Sequence, residues 1–307
     1  MQLLQLSPLW NQDHHWKATL ARGSISQLQY LHDLLHEQTT ATPWPQLIDA
    51  QLARPAWPLL SPVADNELVL EINRQEDWLR VPPHAYACGG WFAQGGVAQS
   101  APAKPELLEL IALVAADAET HVLERVFSRA PDLTFRLLRL VNSVGMRSRV
   151  EIGSIRHAIT VLGRAQLQRW VQLLMYAEQF GDSASMAPLL LAALFRARRL
   201  ESWAEHGWLN ASPESAFLLG MLSLLDRLFQ KPLPELIASL PLNEKMSTAL
   251  LHNEGVLGEA LMQTVFMETY CDDTRWSVRP LHAEAIWVKS ELEVHRWVVS
   301  LAESFHQ

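Results

Sequence analysis

Paired histidines, a lone acid in an apolar run and a band of arginines are the residues of this sequence whose types and spacing could do chemistry. In HDLLHE, residues 32–37, His32 and His36 fall one helical turn apart and on one face, the spacing with which an HExxH helix holds zinc. Asp33 stands where that motif carries glutamate, which shortens the reach of a general base, and no third ligand follows at suitable spacing. The pair reads as the solvated flank of an amphipathic helix, and His14 and His15, adjacent in a polar segment, carry less still. GMLSLLDRLF, residues 220–229, holds one acid, Asp226, and no histidine. Asp226 beside Arg227 reads as a surface charge pair at a helix end.

The arginines form the sharper pattern. Between 125 and 170 stand Arg125, Arg129, Arg136, Arg139, Arg147, Arg149, Arg156, Arg164 and Arg169 against only Asp132 and Glu151. Arg147, Arg149, Arg156, Arg164 and Arg169 occupy a loop, the next helix and its successor. Packing that gathered them would suit a phosphate, a nucleotide or an acidic partner helix, because guanidinium forms bidentate hydrogen bonds with oxyanions. The simpler reading is a set of solvated positions on a helical bundle. The net charge of −8 argues against a protein that coats nucleic acid; a DNA-reading helix-turn-helix is conceivable around Gly145 to Gly163, but its intervening loop is too long for the usual short turn. Two cysteines far apart, Cys88 and Cys271, fit no disulfide framework and no zinc spacing, and both are expected to be reduced and structural.

The elements that must position these residues divide the 307-residue chain in two. Residues 1–104 hold six tryptophans (Trp10, Trp16, Trp44, Trp57, Trp78 and Trp91), many prolines, a strand at ELVLEI (67–72) and a helix at SISQLQYLHDLLHEQ, and they predict a small mixed α/β module. Core is the default place for the tryptophans, with some available as a docking surface. The glycine-rich stretch 87–105 ends this module. From Pro105 apolar residues recur at helical spacing, which predicts a mainly α bundle over 105–271 and a helical extension over 272–307 that either caps the bundle or makes a dimer. Ser154, Ser212 followed by Pro213, and Asn243 suit helix N-caps, Asp132 likewise, and Gly163 suits the left-handed residue that ends a helix. Asn142 ends an apolar helix, where an amide can satisfy the main-chain groups left unpaired. No apolar run reaches the roughly 20 residues of a membrane span, and the N-terminus lacks the flanks of a signal peptide, so a cytoplasmic protein without membrane contact is expected.

The run LLRLVNSVGMRSRVEIGSIRHAITVLGRAQLQRWV, 137–171, resembles the HDOD domain of bacterial signalling proteins through Val141, Asn142 and Ser143, then Ser154 and Ile155, Ala158 and Ile159, and Leu162 and Gly163. The similarity covers about 105–270 and implies an HD-superfamily-like helical bundle, with Asn142, Ser143, Ser154 and Gly163 as its structural signature. Active relatives of that superfamily bind metal through an adjacent His and Asp. Placing AFLLGMLSLLDRLF on their pattern puts Ser223 and Leu224 at those two positions, so the resemblance implies no metal, no cofactor and no catalytic residue. GGWFAQGG, 89–96, also looks like the end of an EAL cyclic-dinucleotide phosphodiesterase barrel, with Gln94 and Gly95 as the matching pair and Glu71 as a strand acid without partners. About a hundred residues cannot hold a barrel that needs about 250, so the likeness implies a remnant. The expected function is a non-enzymatic regulatory or scaffolding protein acting through protein contacts in a cyclic-di-GMP or two-component network. The competing readings are a metal-dependent phosphohydrolase or phosphodiesterase with an unconventional site, and a nucleotide sensor that binds without cleaving.

Overall fold

A computed structural model describes residues 3–37, 45–49, 51, 53–93, 105–130, 133–134, 137–138, 154–180, 188–270 and 284–304. It divides the chain into two compact units, one of Met1–Gly95 with Met262–Val299 and one of Gly96–Leu261 with Ser300–Gln307. No helix among the described residues is long and apolar enough to cross a membrane.

In the first unit two apolar runs flank a polar turn and pair as an antiparallel hairpin, β1 (Gln5–Trp10) and β2 (Trp16–Arg22). Helix α1 (Ile25–Glu37) follows, opened by a reciprocal cap in which Ser24 N donates to Gln27 Oε1 and Gln27 N donates to Ser24 Oγ. Of the four leucines that the periodicity places on one face, Leu28 and Leu31 are buried and Leu34 and Leu35 are half-buried. Four short strands come next: β3 (Gln46–Asp49), β4 (Leu60–Val63), β5 (Leu68–Val69) and β6 (Tyr86–Ala87). The strand expected at 67–72 is thus only the two residues of β5, and the sheet has six strands where the sequence pointed to one. Runs of two to four residues are too short to show alternation.

The sheet runs β4-β3-β2-β1-β6-β5, so β4 and β5 stand at opposite ends although only residues 64–67 separate them. Five strand spacings of about 4.8 Å would need about 24 Å, whereas the link from Val63 to Leu68 reaches at most about 18 Å. The sheet must therefore curl. Leu9, Ala18, Leu20, Leu47, Val63 and Cys88 accordingly form one core, with Leu68, Leu70 and Tyr86 packed on it, so all six strands contribute to one interior. Trp10, Trp16, Trp57 and Trp91 are buried, and Trp44 lies outside the described residues. Cys88 is disulfide-bonded, which corrects the expectation of a reduced thiol. Cys271, the chain's other cysteine, lies outside the described residues.

The second unit is helical: α2 (Pro105–Ala115), α3 (Thr120–Arg129), α4 (Ile155–Leu162), α5 (Arg164–Phe180), α6 (Pro188–Glu205), α7 (Pro213–Leu222), α8 (Leu225–Phe229), α9 (Leu233–Ala238), α10 (Glu244–His252) and the start of α11 (Gly255–Thr269). Most of the expected caps are in place. Ser154 Oγ accepts from His157 N at 3.1 Å, Ser212 Oγ from Ser215 N at 3.2 Å and Asn243 Oδ1 from Met246 N at 2.9 Å. Gly163 separates α4 from α5 at φ 79°, where a β-carbon would be strained. Asp132 lies outside the described residues.

Helix α12 (Glu284–Ser304) belongs, up to Val299, with the sheet of the first unit. Trp287 Nε1 donates to Leu4 O at 2.8 Å. Thr19, on the opposite side of β2 from Ala18 and Leu20, places its Oγ1 2.7 Å from His295 Nε2.

Candidate functional site

Helix α6 is buried along most of its length, and its sequence explains why. PLLLAALFRARRLESWAE is apolar on every face of its first half, and residues 189–197 are all buried. Helix α7 crosses it at Gly220, where a β-carbon would come within 2.3 Å of Ala197 N. No side chain other than hydrogen allows that approach.

The run GMLSLLDRLF is not one helix. Helix α7 ends at Leu222, Ser223 is its C-cap, and Leu224 precedes α8. Ser223 Oγ donates to Gly220 O at 2.7 Å and accepts from Arg196 Nη1 at 3.1 Å. Arg196, from α6, is only 3% exposed, and so is Leu224. Where the resemblance would put a His-Asp pair, the fold therefore places a hydroxyl bonded to a buried guanidinium and an isobutyl group. Neither side chain offers a basic nitrogen or an anionic oxygen, and the guanidinium brings positive charge. Asp226 sits in the first turn of α8, 3.4 Å from Arg227 Nε, so the charge pair opens a short helix where the sequence suggested the end of one.

Arg196 is one of several charges that α6 carries inward. Glu201, 1% exposed, pairs with Arg198 at 2.6 Å and with Arg169 of α5. Arg198 also reaches Glu205 at 3.1 Å, and the Arg169 guanidinium lies over the Phe217 ring, 5.6 Å from its centre. Burial pushes the Glu201 carboxyl above the usual carboxylate value while Arg169 and Arg198 pull it back. Burial draws Arg198 down, and Glu201 and Glu205 outweigh it, so the group ends up raised. This network was missed in the sequence, although FRARRLES, with its charges set in an apolar helix, was the available signal.

The predicted arginines are only partly brought together. Arg156 and Arg164 line one groove of about 470 Å³ with Glu119, His121 and Glu124. Arg156 grips Glu124 through Nε and Nη2 at 3.2 and 3.0 Å, which holds the Glu124 carboxyl below its usual range. Arg164 Nη2 donates to Ala118 O at 2.7 Å and to Asp117 O, and it sits 2.9 Å from Asp117 Oδ1, strapping the turn between α2 and α3. Arg169 lies elsewhere, on Glu201. Two arginines face two glutamates in the groove, so its formal charge is balanced. Arg147, Arg149, Asn142 and Ser143 lie outside the described residues, as do Gln94 and Gly95.

His32 is buried, which corrects the reading of the pair as a solvated flank: its ring lies on the inward face of α1 with Leu28 and Leu31, with Nδ1 3.3 Å from Asp33 and its ring centre 6.2 Å from that of His36. Among the described residues no group of three or more His, Cys, Asp or Glu could hold a metal ion. Glu71 is exposed, in a left-handed turn at φ 57° just past β5.

Comparison with known proteins covers the helical unit. Residues 102–264, just over half of the chain, match the HDOD domain. The cyclic di-GMP phosphodiesterase CdgJ of Vibrio cholerae is 31% identical over 182 residues, 57% of this chain and 40% of that protein. The uncharacterized protein YuxH of Bacillus subtilis is 30% identical over 157 residues, 50% of this chain and 37% of that protein. The chain thus spans about two fifths of the length of these relatives. A solved HDOD domain protein of unknown function from Geobacter sulfurreducens is similar at a TM-score of 0.40 and 17% identity, covering 64% of this chain and 85% of that one. That likeness is too loose to support an argument.

Proposed function

The chain belongs to the HDOD domain family, and from that premise we propose that it is a non-enzymatic regulatory or scaffolding protein of bacterial signal transduction, working through protein contacts. The observation that carries this reading is the bond from Arg196 to Ser223. A divalent ion needs anionic or imidazole donors and repels a guanidinium, so this position favours an internal cation over a bound one. The first unit supports the same reading. Its curled sheet packs Leu9, Leu20, Leu47 and Val63 into one apolar core among the described residues. The curl also fits a reduced descendant of an EAL barrel.

The setting we infer is a cyclic-di-GMP network, because CdgJ is named a cyclic di-GMP phosphodiesterase. The same name favours the competing reading, hydrolysis of a cyclic dinucleotide by this chain. Metal content and turnover separate the two. Purified protein incubated with cyclic di-GMP and magnesium or manganese should yield no linear dinucleotide and hold far less than one metal per chain. Stoichiometric metal with hydrolysis would overturn the proposal. Calorimetric titration with the same nucleotide tests the third reading, a sensor that binds without cleaving, and capture from a lysate followed by reconstitution with the purified partner tests protein contact directly.

A further inference from the structure

We propose that His14 is a proton-sensitive latch that fastens the tip of the β1–β2 hairpin to the loops carrying Trp78 and Trp91. His14 holds a left-handed backbone, φ 60°, an uncommon state for a residue other than glycine and one that histidine adopts more readily than most. The turn around it is closed by His14 N donating to Asn11 O, Asn11 N to His15 O, and His15 N to Asn11 Oδ1 at 2.9 Å. This conformation delivers the imidazole to two indoles. Its centre is 4.4 Å from that of Trp78 and 4.4 Å from that of Trp91, and the two indoles meet edge to face at 5.3 Å. Beside it Gln12 Nε2 donates to Val81 O at 2.5 Å.

The receiving side is tied by its own hydrogen bonds. Trp91 N donates to Ile72 O at 3.0 Å and Gly90 N to Asn73 Oδ1 at 3.0 Å, while Gly89 lies so close to Ile72 that a β-carbon would stand 2.3 Å from its carbonyl oxygen. The 3-10 turn Gln75–Arg80 is pinned by Asp77, which accepts from Asn73 N and Arg74 N. The hairpin tip is the part able to leave.

A neutral imidazole can lie against indole walls, whereas an imidazolium would surrender part of its hydration there. Burial lowers the His14 value below 6.5, Asp13 opposes this and His15 adds to it. The other charged groups on the elements concerned are Lys17 and Arg22 on β2, and Glu76, Asp77 and Arg80 on the 3-10 turn, of which Asp77 and Arg80 pair at 3.1 Å. The second 3-10 turn, Trp91–Ala93, has none. The latched state prefers neutral His14 and the released tip titrates at the ordinary value, so the latch is complete above pH 6.5 and weakens as pH falls below it.

The test uses the full chain. Titration of the His14 ring by NMR should give a value below 6.5. Hydrogen exchange, corrected for intrinsic rates, should show residues 11–16 and 75–81 losing protection by about three- to tenfold between about pH 7.5 and about pH 5.5. His14→Phe should remove that pH step while keeping protection, and His14→Gln should be open at both pH values. A titration value at or above 6.5, as cation–π attraction would produce, sinks the proposal. So does a pH step that persists unchanged in either variant.

Discussion

Gly220 faces the main chain of Ala197 so closely that a methyl group in place of its hydrogen would stand 2.3 Å from the Ala197 nitrogen and 2.4 Å from its α-carbon. Both obstacles are backbone, so neither can swing aside. Gly220→Ala should force α6 and α7 apart and cost about 2 to 3 kcal/mol, read as a lower midpoint in urea with an unchanged slope. Retention of the parent midpoint would mean that the two helices are not in the contact described.

Ser223 is satisfied twice, as donor to Gly220 O and as acceptor from Arg196. Ser223→Ala removes the only hydroxyl in that pair and leaves a buried guanidinium with one partner fewer. A loss of about 1 to 2 kcal/mol is expected, measured by thermal melting. Ser223→Thr keeps the hydroxyl and should recover most of the loss, an outcome that a packing role for the side chain alone would not produce.

How far the sequence reached depended on whether a feature was local. Ser154, Ser212 and Asn243 were legible as caps because a cap is set by three or four neighbouring residues, and all three accept the expected bonds. The leucine face of α1 was legible by period. The sheet was not, because β3, β4, β5 and β6 have four residues or fewer and their pairing is between distant segments. The placing of α12 against β2 was hidden for the same reason, since Thr19 and His295 are 276 positions apart. In the candidate site the absence of histidine from GMLSLLDRLF could be read directly, while Arg196, Arg198 and Glu201 carry no motif that marks them out. Only the apolar surroundings of α6 bury Arg196 and Glu201 and half-bury Arg198, and those surroundings come from other helices.

Glu201 is the carboxylate on which two arginines converge, Arg198 from its own helix and Arg169 from α5. Glu201→Gln keeps the shape and removes the charge, so Arg169 and Arg198 would be left partly buried with one anion fewer. Breaking a buried pair in this way typically costs about 3 kcal/mol or more. Glu201→Gln should therefore be markedly less stable to urea than the parent, and Glu201→Asp, which retains charge but shortens the reach, should fall between the two.

Arg156 and Glu124 make a pair of the opposite kind, open to solvent, with the Arg156 side chain 82% exposed. Its effect on stability at neutral pH should be small, because exposed pairs are screened and cost side-chain entropy. The pH profile is the sharper readout. The hydrogen bond from Arg156 holds the Glu124 carboxyl below 4.5, so the folded chain gives up that proton more readily than the unfolded one. A depressed carboxyl contributes stability that is present above pH 4.5 and is lost as pH falls through the lower folded value. Arg156→Ala should remove this part of the acid limb, and added salt should shrink the difference between variant and parent. Thermal melts from about pH 3 to pH 7 at two ionic strengths check both statements. If the acid limbs of parent and Arg156→Ala superimpose, Glu124 is not held by Arg156 in solution, and Arg156 would then be free to meet an anionic partner.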